Sequence, residues 1–185
     1  MIHFIGAGSG DPDLVTIKAQ KILKKADVVL YTGSLVPREV LSWCKDDALI
    51  VDSQGMKYPE IFAFLEEHHD KVLARVHTGD PSLYSTIAKQ ISFLHEKGFE
   101  YEVIPGITAA FGAAASLGIE YTIPGVSQTI ILTRVEGKTP NPESLENILA
   151  CRTPLWSFTF RFCCLKNLKN KPLRWAIAPI LLAGW

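Results

Sequence analysis

The turn Thr78-Gly79-Asp80-Pro81 carries the residue types best suited to holding a small molecule. A mostly apolar run, Val72 to Val76, precedes it and reads as a short buried strand, and a helical pattern is expected from Ser82. Ligands of open α/β sheets bind just beyond the carboxyl ends of the strands, which is where this turn would lie. Gly79 lets backbone approach a ligand closely. Asp80 can accept hydrogen bonds from a ribose or an amine or face a positive centre, and Pro81 stiffens the bend. An ordinary strand-to-helix turn, with Asp80 or Ser82 as helix cap, uses the same residues. A second such turn is Ile104-Pro105-Gly106-Ile107-Thr108. Pro105 forces an extended approach, Gly106 permits a sharp bend, and Thr108 offers a hydroxyl to an alanine-rich helix running to Gly118. That helix holds Ala109, Ala110, Gly112, Ala113, Ala114 and Ala115, so a neighbour can pack very close to it, whether ligand or sheet.

Strand-like and helix-like segments alternate around these turns. Strands are expected at 1–5, 28–31, 48–51, 101–104 and 128–133, besides the one before Thr78. Helices are expected from Thr16 (with Ile17, Ala19, Ile22, Leu23 and Ala26 as the apolar stripe), from Pro37, from Pro59, from Ser82 and from Thr108. Short apolar strands separated by helices imply an α/β fold, a mostly parallel sheet with helices on both faces.

The glycine loop after the first strand tests a nucleotide reading. Gly6-x-Gly8 lacks the third glycine of a dinucleotide fingerprint, since Asp11 stands there, and the second strand ends in Tyr31-Thr32 with no acidic residue for a ribose. A phosphate loop needs Gly-Lys-Ser/Thr, whereas Asp11 and Asp13 here would repel a phosphate. A nicotinamide or nucleotide enzyme is therefore disfavoured.

Composition narrows the classes further. The chain has 185 residues, no net charge and 48% hydrophobic residues, so nothing global points to nucleic acid or an anionic membrane. Its start, Met1-Ile2-His3-Phe4, enters a strand pattern directly, which argues for a cytoplasmic rather than secreted protein. Cys44, Cys151, Cys163 and Cys164 form no C-x-x-C pair and are expected to be reduced thiols. No apolar run is long enough to cross a bilayer. His68 and His69 are adjacent, which suits no chelate on a helix, and no metal is expected.

In their order, Gly6 to Thr16, His77 to Pro81 and Pro105 to Ala109 resemble the tetrapyrrole (corrin and porphyrin) methyltransferases, which use S-adenosylmethionine. Gln54-Gly55-Met56 and the stretch from Ile123 to Pro140 are similar to the branch that methylates precorrin-4 or cobalt-precorrin-4 at C11 in cobalamin biosynthesis. The resemblance implies a tetrapyrrole-methyltransferase-like first domain, residues 1–121, and a second α/β domain beginning at 122. It implies methyl-donor contacts by Thr78, Gly79, Asp80, Leu83, Thr108 and Ala109. It also implies that Gly8, Ser9, Gly10, Asp11 and Pro12 border the tetrapyrrole, with Ser9 where the family usually has proline. Arg134 and Arg38 are possible partners for the substrate's carboxylates, and a solvated surface role competes for Arg38. A homodimer is implied if the second domain is competent, and no general base can be named.

From about residue 151 the second domain departs from the family pattern. No Asp or Glu follows Glu146, while three of the four cysteines and three of the four tryptophans do. Two outcomes stay open beside the active enzyme: a remnant that folds or dimerises without turnover, and a sister methyltransferase acting at another ring position.

Overall fold

The computed structural model describes residues 1–33, 36–125, 128–133 and 156–159. Two units pack separately, Met1–Gly112 and Ala113–Trp185.

The first unit is built on five parallel strands: β1 (Ile2–Gly6), β2 (Val28–Tyr31), β3 (Leu49–Asp52), β4 (Leu73–His77) and β5 (Tyr101–Ile104). Their order across the sheet is β3-β2-β4-β1-β5. Three strands in the middle are near-continuous apolar runs, as a sheet covered on both faces requires. Edge strand β3 leaves Leu49 and Ile50 partly open to solvent.

Helices cover both faces. Helix α1 (Ile17–Leu23) and α2 (Arg38–Leu41) lie on one, where Ala19, Leu23 and Val40 pack on Ile5, Val29, Ala74 and Val76. Helices α3 (Tyr58–Glu67) and α4 (Ile87–Lys97) lie on the other, where Ile61, Leu65 and Leu94 pack on Ile2, Phe4, Val28, Leu30 and Leu73. Thr16 caps α1, its Oγ1 accepting from Ala19 N at 3.2 Å, and Glu60 Oε2 accepts from Lys57 N at 2.7 Å at the start of α3. The buried stripe of α1 is Ala19 and Leu23, joined by half-buried Ile22 and continued by buried Ala26 just past the end of the helix. Ile17 is exposed, because it falls off the 3.6-residue register of the other members.

Arg75 interrupts the apolar run of β4 without solvent. Its Nη1 donates to Leu30 O at 3.1 Å and Ser53 Oγ at 2.9 Å, and its Nε to Gln90 Oε1 at 3.3 Å. Burial pushes its pKa down to about 10, against the favourable charge of Asp52, so the guanidinium stays charged at neutral pH.

Helix α4 begins at Ile87, not at Ser82. Asp80 Oδ1 captures Ser82 N at 2.8 Å, and Tyr84 and Thr86 then take left-handed backbone (φ 57° and 55°), so helical geometry starts only after them. In the second unit, β6 (Ile130–Thr133) pairs in parallel with β7 (Trp156–Thr159). Helix α5 (Ala109–Leu117) carries the chain from the first unit into the second. The remaining tail and Arg134 lie outside the described residues.

Candidate functional site

Strands β1 and β4 are neighbours, yet α1 leaves the end of β1 toward one face and α4 leaves the end of β4 toward the other. This is a topological switch point, where diverging connections open a binding position at the carboxyl ends of the strands. The turns after β1, β4 and β5 meet there.

Backbone, not side chains, joins them. Ala7 N donates to His77 O at 2.7 Å, Gly79 N to Gly8 O at 2.8 Å and Gly8 N to Gly79 O at 3.3 Å, an antiparallel bridge beyond the parallel ladder. Gly6 and Gly106 are then packed too closely for any side chain, while Gly79 between them takes left-handed backbone (φ 63°). A Cβ on Gly6 would sit 2.6 Å from Gly79 O and 2.7 Å from Gly106 Cα. One on Gly106 would overlap Gly79 O and lie 2.8 Å from Gly6 Cα. Sequence reading placed glycines at these strand ends but could not show that they touch one another.

Asp80 ties the second and third turns together. Its Oδ2 accepts from Gly106 N and its Oδ1 from Ser82 N, both at 2.8 Å. Its carbonyl accepts from Leu83 N at 3.1 Å and Ser85 Oγ at 3.3 Å. Left-handed, non-glycine residues such as Tyr84 and Thr86 cost on the order of 1–3 kcal/mol each and persist where surrounding bonds hold them. At the third turn, Thr108 Oγ1 accepts from Phe111 N at 3.4 Å and Thr108 O from Gly112 N at 3.0 Å, as expected of a residue opening α5.

The loop after β1 reaches the same place. Gly8 is buried, Ser9 and Pro12 half-buried, and Gly10 and Asp11 exposed. Asp11 Oδ1 accepts from Asp13 N at 2.9 Å, closing a 3-10 turn at Pro12–Leu14. The close neighbour that the small residues of α5 admit is Ser9. A Cβ on Gly112 would meet its Oγ at 2.5 Å.

The structure thus brings Gly8, Ser9, Thr78, Gly79, Asp80, Thr108 and the backbone of Gly106 to one end of the sheet. Arg38 is exposed at the start of α2.

His77 stands immediately before the Thr78 turn. It ends β4 buried, its ring stacked on Phe4 with centroids 6.1 Å apart, and its Nε2 has no hydrogen-bond partner among the described residues. Burial, with the nearby charge of Arg75 adding to it, pushes its pKa down to about 3, so the imidazole is neutral at physiological pH.

Charge completes the picture. The three loops, residues 7–16, 78–86 and 105–112, carry Asp11, Asp13 and Asp80 and no Lys or Arg. Such a mouth attracts a cation and opposes a phosphate. Among the described residues no group of three His, Cys, Asp or Glu could hold a metal ion, and no helix is long and apolar enough to cross a membrane.

Comparison with known proteins agrees with this geometry. Residues 1–159 match the family model of the tetrapyrrole (corrin/porphyrin) methylases. A cobalt-precorrin-4 C(11)-methyltransferase of Methanocaldococcus jannaschii is 47% identical over 144 residues, which is 77% of this chain and 56% of that protein. The chain therefore spans little more than half the length of this curated relative. The X-ray structure of a cobalt precorrin-4 methyltransferase superposes with a TM-score of 0.83 at 37% identity, covering 100% of this chain and 75% of that one. A uroporphyrin-III C-methyltransferase from Thermus thermophilus, solved with S-adenosylhomocysteine, superposes at 0.60 with 33% identity over 73% of this chain and 59% of its own. With 159 matched residues and a shared parallel sheet, the chain belongs to the tetrapyrrole (corrin/porphyrin) methylases.

Proposed function

We propose that this chain binds S-adenosylmethionine at the junction of its β1, β4 and β5 turns and serves methylation of precorrin-4 or cobalt-precorrin-4 at C11 in cobalamin biosynthesis. The observation that carries the reading is the convergence of three glycine turns at the switch point, with Asp80 holding two of them. The relatives named for precorrin-4 chemistry supply the substrate class.

The residues present suit a sulfonium donor. Gly79, Thr108 and Ala109 put no side chain larger than threonine at the mouth, and the carboxylates around it complement a positive centre. When bound, the donor supplies an already activated methyl group, which passes to a ring carbon while the sulfur leaves as a thioether. The chain's part is alignment: rigid backbone turns fix one reactant while the Gly8–Pro12 loop borders the other. Holding two reactants in register lowers the barrier by several kcal/mol, up to about 10. Donor contacts are assigned to Thr78, Gly79, the backbone of Asp80, Leu83, Thr108 and Ala109, and substrate contacts to Gly8 through Pro12 with Arg134. A cytoplasmic homodimer with its domain boundary near residue 121 completes the reading.

Incubating the purified chain with S-adenosylmethionine and either precorrin-4 or its cobalt form is expected to add one methyl group, read by mass spectrometry and placed at C11 by NMR. Methylation at another position would identify a sister enzyme. A folded, donor-binding chain that never methylates either substrate would contradict the catalytic reading and leave a remnant.

A further inference from the structure

A carboxylate at the mouth of a donor site can act by touching the ligand or by holding the loops that do. At Asp80 each carboxylate oxygen already receives a backbone N–H at 2.8 Å, one from its own turn (Ser82) and one from the turn after β5 (Gly106). The partner across the sheet is the informative one. Gly106 is where the third turn passes against Gly79 O and Gly6 Cα, in a space with no room for a Cβ. Its placement decides where Ile107, Thr108 and Ala109 run. The remaining Asp80 bonds, from Leu83 N and Ser85 Oγ to its carbonyl, hold the left-handed segment that ends at Thr86.

We infer that Asp80 serves donor binding as a positioning residue: its carboxylate latches the β5 turn to the β4 turn through Gly106 N–H, and the backbone it fixes makes the donor contacts. The inference rests on the proposed function for its ligand and on geometry alone for the latch. Asparagine at position 80 keeps one acceptor oxygen and presents an N–H₂ to the other amide, so it satisfies one of the two bonds. Alanine satisfies neither.

The test has two readouts on the full chain. Amide hydrogen exchange of the ligand-free protein, followed by NMR, is expected to show Gly106 exchanging about tenfold faster or more in D80A, the size of losing one charge-assisted bond, and to a smaller extent in D80N, which keeps one acceptor oxygen. Ile5 and Val76 amides, in the sheet, should stay as slow as in the wild type, which confirms that both variants fold. Affinity for S-adenosylhomocysteine is expected to fall in step with Gly106 protection, in the order wild type, D80N, D80A. Loss of affinity with Gly106 still protected in either variant would mean direct ligand contact and overturn the inference, as would unchanged affinity with a freely exchanging Gly106. A wild-type chain that protects Gly106 but has no affinity for the probe contradicts the proposed function instead, while the exchange data still decide the latch.

Discussion

Gly106→Ala is expected to destabilise the protein by about 3 kcal/mol or more and to abolish donor binding, one of the two largest single effects foreseen. The added methyl would have to occupy space held by Gly79 O and by Gly6 Cα 2.8 Å away. Both obstacles are backbone, so no rotamer change relieves them. The strands beneath are fixed by the parallel ladders from β4 to β1 and from β1 to β5, which leaves the β5 turn to move. Moving it breaks the Asp80–Gly106 bond. Gly98→Ala provides the scale. Gly98 is left-handed (φ 69°), at the C-cap of α4, but has nothing within 4 Å of a Cβ, so only the conformational cost of about 1 kcal/mol applies. Equilibrium urea denaturation separates the two, and equal losses would contradict the packing argument.

The second large effect is a loss of stability in mild acid that traces to His77. Its folded pKa, about 3, lies below the ordinary value of 6.5, because burial and then the Arg75 charge disfavour the imidazolium. Between those values the unfolded chain binds a proton that the folded one does not. Stability therefore falls as pH drops through 6.5 and continues to fall toward 3. At 1.36 kcal/mol per pKa unit, His77 alone accounts for about 2.5 kcal/mol between pH 6.5 and 4.5.

Other groups separate by window. Hydrogen bonding to Lys45 lowers the Asp27 pKa and to Lys18 that of Glu102, so both contribute stability present above their unfolded values and lost only as pH falls below about 4.5. His3 is also lowered, chiefly by burial with Glu102 opposing, and adds to the histidine window. H77N, which cannot titrate, is expected to flatten most of the stability-versus-pH curve from 6.5 to 4.5 and to leave the steeper fall below it. A curve with the wild-type slope in H77N would show that the imidazole is not held neutral.

Much of the fold was legible because its signals are local. Apolar runs such as Val28 to Tyr31, the cap at Thr16 and the stop at Gly98 each report on their own few residues, and the parallel sheet with helices on both faces follows from their alternation. The start of α4 was not legible. A helical pattern does begin near Ser82, but Asp80 diverts the Ser82 amide, and the two left-handed residues after it leave no composition signal. The site was half legible. Glycines and hydroxyls at the strand ends marked the three turns, whereas strand order, which alone makes β1, β4 and β5 adjacent, is a long-range property. Hence the sequence could nominate Asp80 as a ligand contact but could not foresee that Gly106, 26 residues on, takes one of its oxygens. For the same reason His77 could not be assigned. Its burial depends on Phe4 and on the helices covering that face.

The measurement that bears most directly on the central claim, a methyl-donor site built from the three backbone turns of the first unit, is calorimetric titration of the purified chain with S-adenosylhomocysteine. The account predicts saturable binding in the micromolar range for the wild type and none for Gly106→Ala under conditions where circular dichroism reports both folded. A folded wild-type chain that takes up no S-adenosylhomocysteine at millimolar concentration would contradict it.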